Sequence, residues 1–169
     1  MDAVYGALVG VAGTVLGSSL TWLQLRTQAK ATNSQWRRQM QRDAYGAVLQ
    51  QVDILRKCFE PIGRRAREAG STAEDFAQLE AVRVASIEEI DGAIIVVALE
   101  GPDELSNLAF EVGHAMRAWG EALQVLTKAV SEGEADLHDK KAIEATTAMA
   151  TGELVATFIL TARKHLDRA

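Results

Sequence analysis

Residues 93–99 read Ala93-Ile94-Ile95-Val96-Val97-Ala98-Leu99, apolar throughout and β-branched from Ile94 to Val97. A short strand buried on both faces reads this way, and so does a helix buried on nearly all sides. The flanks favour the helix. Phe76, Leu79, Ile87, Ile90, Ile94 and Val97 recur at mostly helical spacing and lead straight into the segment. No other stretch offers a strand for it to pair with. The spacing therefore predicts a helix, with a short strand as the alternative. The unbroken apolar run predicts burial on nearly all sides, at the centre of a bundle.

On the C-terminal side, Gly101-Pro102 breaks the pattern. Pro102, Asp103 and Glu104 suit a first helical turn, with proline at the first position and acids near the positive end of the helix dipole. Leu105, Leu108, Val112, Met116, Trp119, Leu123, Leu126 and Val130 then keep a heptad-like, coiled-coil register. Ser131–Glu134 is a polar break, and a last helix is expected from about Glu134 to Leu166, with a weaker stripe through Leu137, Ile143, Ala150, Leu154 and Phe158. On the N-terminal side, Ser71-x-x-Glu74 has the spacing of a capping box. Before it, Tyr45, Val48, Val52, Leu55 and Phe59 form another stripe, which Pro61 and Gly63 are expected to end. The fold class expected is all-α: one long first helix, then three more, closing an antiparallel four-helix bundle. Phe59 and Trp119 are expected in its core.

Composition agrees with this reading. The chain has 169 residues, 48% hydrophobic and 24% charged, which suits a folded domain and excludes global disorder. Two prolines fit long helices. A single cysteine, Cys58, excludes an intramolecular disulfide framework. The formal net charge of −5 hides a polarity: residues 26–67 carry ten Lys/Arg against three acids, and residues 68–169 carry eight against nineteen. A basic block of this kind faces something anionic, nucleic acid or phospholipid.

The neighbouring segment chooses phospholipid. Val4–Leu25 reads VYGALVGVAGTVLGSSLTWLQL, twenty-two residues without a charge. As a helix it rises about 33 Å, against a hydrocarbon core of about 30 Å. Tyr5 and Trp22 stand near its ends, where amphipathic rings prefer headgroups. Arg26, Lys30, Arg37, Arg38 and Arg42 follow, and basic residues beside a span stay on the cytoplasmic side. The expectation is a single-pass cell-membrane protein with its N-terminus outside, its bundle in the cytoplasm, and those five side chains on lipid headgroups. The only early charge is Asp2, so a cleaved signal peptide is not expected. The domains expected are a transmembrane helix (1–25), a basic juxtamembrane helix (26–44) and a cytosolic bundle (45–169). Gly6, Gly10, Gly13 and Gly17 lie on one face of the span as two GxxxG pairs, flanked by Thr14 and Ser18. A face without side chains lets another helix approach closely, so these glycines are candidates for self-association into a homo-oligomer.

Chemistry is sparse. Glu111 and His114 have the Glu-x-x-His spacing of di-iron bundles, but no second such motif accompanies them. Cys58 has basic neighbours, Arg56 and Lys57, able to lower its pKa, yet no base or resolving cysteine nearby, so it reads as structural. Phosphate-loop, dinucleotide and hydrolase-elbow signatures do not occur. No catalytic residue, metal ligand or cofactor is assigned, and nucleic acid is not an expected partner. Lys140-Lys141 reads as a solvated helix face, and Arg64, Arg65 and Arg67 as a loop pointing at the membrane.

Trp36-Arg37-Arg38, Tyr45 seven residues beyond Arg38, and the apolar helix closing at Glu100-Gly101-Pro102 give the chain a look that resembles a group of uncharacterised, membrane-anchored helical proteins from actinobacteria. The resemblance spans the first 60 residues and the 94–105 joint. It implies a membrane anchor on a helical fold and brings no activity with it. The expected function is a non-enzymatic membrane protein whose cytosolic bundle mediates self-assembly or binds a protein partner. Two alternatives stand beside it: an oligomeric effector that permeabilises membranes, and a soluble helical oligomer or structural protein with the first helix buried in its core.

Overall fold

Residues 93–99 are helical. A computed structural model describes the backbone of residues 2–68 and 72–168, and the side chains of residues 35–68, 72, 74–82 and 88–167. The elements are α1 (Asp2–Arg67), α2 (Ala73–Glu100), α3 (Asp103–Ser131) and α4 (His138–Arg168), with no strand among the described residues. The chain divides into two units, residues 1–39 and residues 40–169. The described part of the first belongs to α1, with side chains described from residue 35 on. The second holds the bundle.

Within the second unit, each helix contributes one stripe to a common core. Tyr45, Val48, Val52, Leu55, Phe59 and Ile62 come from α1, Leu79, Ile90, Ile94 and Val97 from α2, Leu105, Val112, Met116, Trp119 and Leu123 from α3, and Val155 and Phe158 from α4. Named contacts set the directions. Near its start in this unit, α1 meets the end of α2, where the Gln41 side-chain amide donates to the Glu100 carbonyl at 2.8 Å. Its end meets the start of α2, where Arg65 pairs with Asp75. Arg117 of α3 pairs with Asp91 of α2, and Gln124 donates to Glu80 a few turns on. Thr151 of α4 donates to the Ala115 carbonyl of α3 at 3.2 Å, and Tyr45 stands edge-on to Phe158 with centroids 6.2 Å apart. Consecutive helices therefore run in opposite directions, and α4 returns to lie against α1.

Four local expectations are corrected. First, segment 93–99 is not buried all round. Ala93, Ile94 and Val97 enter the core, while Ile95 (54% exposed) and Leu99 (77% exposed) face outward with Val96. An α-helix offers one stripe to each neighbour, so an all-apolar sequence leaves apolar residues outside wherever no neighbour covers them. Second, Pro61 does not end α1, which continues to Arg67. A proline inside a helix costs about 3 kcal/mol. Burial of Ile62 and Ala66 in the following turn offsets it. Third, the capping box lies one residue later than expected. The Thr72 hydroxyl accepts from the Asp75 amide at 3.3 Å, and the Asp75 carboxylate accepts from the Thr72 amide at 3.0 Å. Fourth, α4 begins at His138, and its buried line is Glu144, Thr151, Val155, Phe158 and Ala162, with Ile143 and Ala150 exposed. Two polar residues in that line hid it from a search for apolar periodicity.

The turn after α3 closes on Gly133, whose φ of 70° lies in the left-handed region. Its amide donates to the Val130 carbonyl at 3.1 Å and the Glu134 amide to Ala129 at 3.0 Å, satisfying carbonyls the helix end leaves free.

Candidate functional site

The most developed polar arrangement lies between α1, α3 and α4. Glu144 is completely buried (0% exposed). The Trp119 indole N–H donates to its Oε1 at 2.9 Å, and the Arg67 guanidinium binds its Oε2. Trp119 is itself fixed by Phe59, edge-on with centroids 5.3 Å apart. Gly63 makes room for the carboxylate: a Cβ there would stand 2.9 Å from Oε1. Beside the group lies a cleft of about 130 Å³, lined by Arg56, Glu60, Arg67, Trp119, Glu144 and Thr151 among others. Arg56 and Glu60 pair with each other at 2.7 Å. Thr151 spends its hydroxyl on backbone, donating to Thr147 at 2.7 Å as well as to Ala115. Both oxygens of Glu144 are engaged, so the arrangement fixes how α1, α3 and α4 meet. It presents no nucleophile beside a base.

Sequence reasoning placed Arg67 in a membrane-facing loop and gave Glu144 no role. Arg64, Arg65 and Arg67 instead form the last turn of α1. Basic side chains are favoured there by the helix dipole, and Arg65 and Arg67 find acids across the bundle. One signal was available. Extending the heptad register of Phe158, Val155 and Thr151 back by seven reaches Glu144, and a buried Trp119 needs an acceptor for its N–H.

The Arg65 guanidinium beside Asp75, with help from Thr72, holds the Asp75 carboxyl below its ordinary range despite partial desolvation. Burial pushes the Cys58 thiol up, with the charge of Arg65 opposing. Of the neighbours able to lower it, Arg56 is paired with Glu60 and Lys57 with Asp53. Burial also raises the Tyr45 hydroxyl. Glu111 and His114 are both exposed on α3, and no group of three or more His, Cys, Asp or Glu able to hold a metal occurs among the described residues.

Of the residues singled out for membrane and assembly roles, Arg37, Arg38 and Arg42 are exposed, as is Trp36. The side chains of Arg26 and Lys30 lie outside the described residues, as does the packing face of Gly6, Gly10, Gly13 and Gly17. The bundle adds surface features the sequence did not announce. Ile95, Val96 and Leu99 of α2, Phe110 and Val125 of α3, and Ile143, Met149, Ile159 and Leu160 of α4 are large apolar side chains left exposed. Among the described residues one stretch, His138–Asp167, is long and apolar enough to cross a bilayer. Comparison of the chain with models of protein families, with curated proteins and with solved structures finds no match.

Proposed function

We propose that this chain is a non-enzymatic, single-pass membrane protein whose cytosolic helical bundle assembles with itself or docks a protein partner. The observation that carries the reading is the order of the segments: twenty-two uncharged residues, then Arg26, Lys30, Arg37, Arg38 and Arg42, then the bundle. That order supports a span with its N-terminus outside and the bundle in the cytoplasm. Gly6, Gly10, Gly13 and Gly17 supply a close-packing face for homo-oligomerisation. The exposed Ile95, Val96 and Leu99 favour docking, because a contiguous apolar strip on a soluble domain marks a contact surface. Membrane fractionation tests the reading: the chain stays in the pellet through alkaline carbonate, and release into the supernatant overturns it.

A second reading is favoured by α4. The apolar character of His138–Asp167, with Ile143, Met149, Ile159 and Leu160 outside the core, supports an oligomer that inserts this helix and permeabilises the membrane. Dye release from vesicles at rising protein concentration separates the two. The first reading expects intact vesicles.

A further inference from the structure

Between α1 and α4, within the bundle, runs an open groove of about 370 Å³, in the size range of small-ligand clefts. Its floor is apolar, made by Leu49, Ile159 and Ala162, and its rims carry Arg42 on one helix and Arg163 on the other. Neither arginine has an ion-pair or hydrogen-bond partner among the described residues, and Asp167 is the one acid lining the groove. Elsewhere in the bundle, Arg56, Arg65, Arg67 and Arg117 are each paired with a carboxylate. Arg42 and Arg163 are unpaired among the described residues, as is Arg64 outside the groove, and from opposite sides of an apolar trough they complement a ligand with an anionic head and a hydrocarbon body.

We infer that this groove binds an anionic phospholipid, its phosphate between Arg42 and Arg163 and part of an acyl chain along Leu49, Ile159 and Ala162. The choice of a bilayer lipid rests on the proposed membrane function, since Arg42 is the last of the five basic residues following the uncharged run. Gly46 lies at the mouth of the groove with nothing within 4 Å of the position its Cβ would take. Gly46→Phe therefore fills the trough while leaving both charges and the core in place.

The test uses the full chain in nanodiscs of phosphatidylcholine and phosphatidylglycerol in equal parts. Either lipid carries a photoactivatable group in one acyl chain, and crosslinked peptides are mapped. Labelling by phosphatidylglycerol is expected within residues 42–49 and 159–166, above that by phosphatidylcholine. Arg42→Gln and Arg163→Gln each lower it about fivefold, as expected for removing one basic residue from an anionic surface. Gly46→Phe abolishes it. Equal labelling by the two lipids, or labelling that Gly46→Phe leaves unchanged, overturns the inference. Carbonate extraction of the same protein keeps the two readings apart. A chain retained in membranes but unlabelled in the groove overturns the groove alone. One released by carbonate yet labelled there overturns the span alone, and one both released and unlabelled overturns both.

Discussion

Glu144 has lost all contact with solvent and keeps its charge company through Arg67 and Trp119. Breaking one side of a buried pair costs about 3–5 kcal/mol when the remaining charge is stranded. Arg67 is itself partly exposed, so water can reach the space it vacates. Arg67→Ala is therefore expected to cost about 2–3 kcal/mol in urea unfolding, and Glu144→Gln clearly less, because the amide oxygen still accepts from Trp119. Equal losses for the two variants would remove the charge from the explanation. Gly63→Ala tests the space beside the carboxylate. Alanine favours a helix over glycine by about 1 kcal/mol, but the new methyl displaces Oε1 from the indole. The expected outcome is a protein no more stable than the parent, with altered near-ultraviolet circular dichroism from Trp119. None of this was legible from hydropathy, since Glu144 and Thr151 stand where an apolar residue would have announced the buried face. Phe59 and Trp119 were legible, because both fall on strong apolar stripes and both are buried.

At the scale of elements, the start of α2 shows how a cap becomes sensitive to pH. Asp75 closes the capping box with Thr72 and pairs with Arg65, and its carboxyl is held below its ordinary value. A group whose folded pKa is lowered contributes stability in full above its unfolded value. That contribution disappears as pH falls through the folded one. Stability should therefore decline below about pH 4, the ordinary aspartate range, and Asp75→Asn should flatten that limb of the curve. An unchanged acid limb would mean that other carboxylates govern it. Thr72→Ala is expected to cost about 1 kcal/mol at neutral pH, through loss of the cap. The existence and order of the helices were readable from periodicity, and the break at Gly101-Pro102 was placed well. Boundaries shifted where tertiary contacts outweighed local preference. Pro61 lies within α1 because the turn beyond it buries Ile62 and Ala66 and delivers Arg65 and Arg67 to their acids. Segment 93–99 is a helix, as its flanks predicted, but composition alone could not say which of its sides would lack a neighbour.

For the whole molecule, the outward apolar side chains are where assembly is open to test. Ile95→Glu with Leu99→Lys alters residues that are 54% and 77% exposed, so the fold should tolerate both within about 0.5 kcal/mol. If the strip docks another chain, the double variant lowers oligomer mass or partner capture. A variant of unchanged mass that still captures its partner would acquit the strip. Gly10→Ile with Gly13→Ile asks the same of the first unit, and the expected result is weaker self-association in detergent. The two experiments address separate units, so their outcomes are independent. The interior of the bundle also bears on the second reading. His138–Asp167 is apolar enough to enter lipid, yet Glu144 sits inside that same stretch. To migrate into hydrocarbon, α4 would first have to surrender a guanidinium and an indole, then carry its carboxylate, neutralised or not, across a medium that solvates neither. Glu144 thus levies a toll on departure, added to that of Glu153 nine residues on, and the two hold an otherwise apolar mid-section to water.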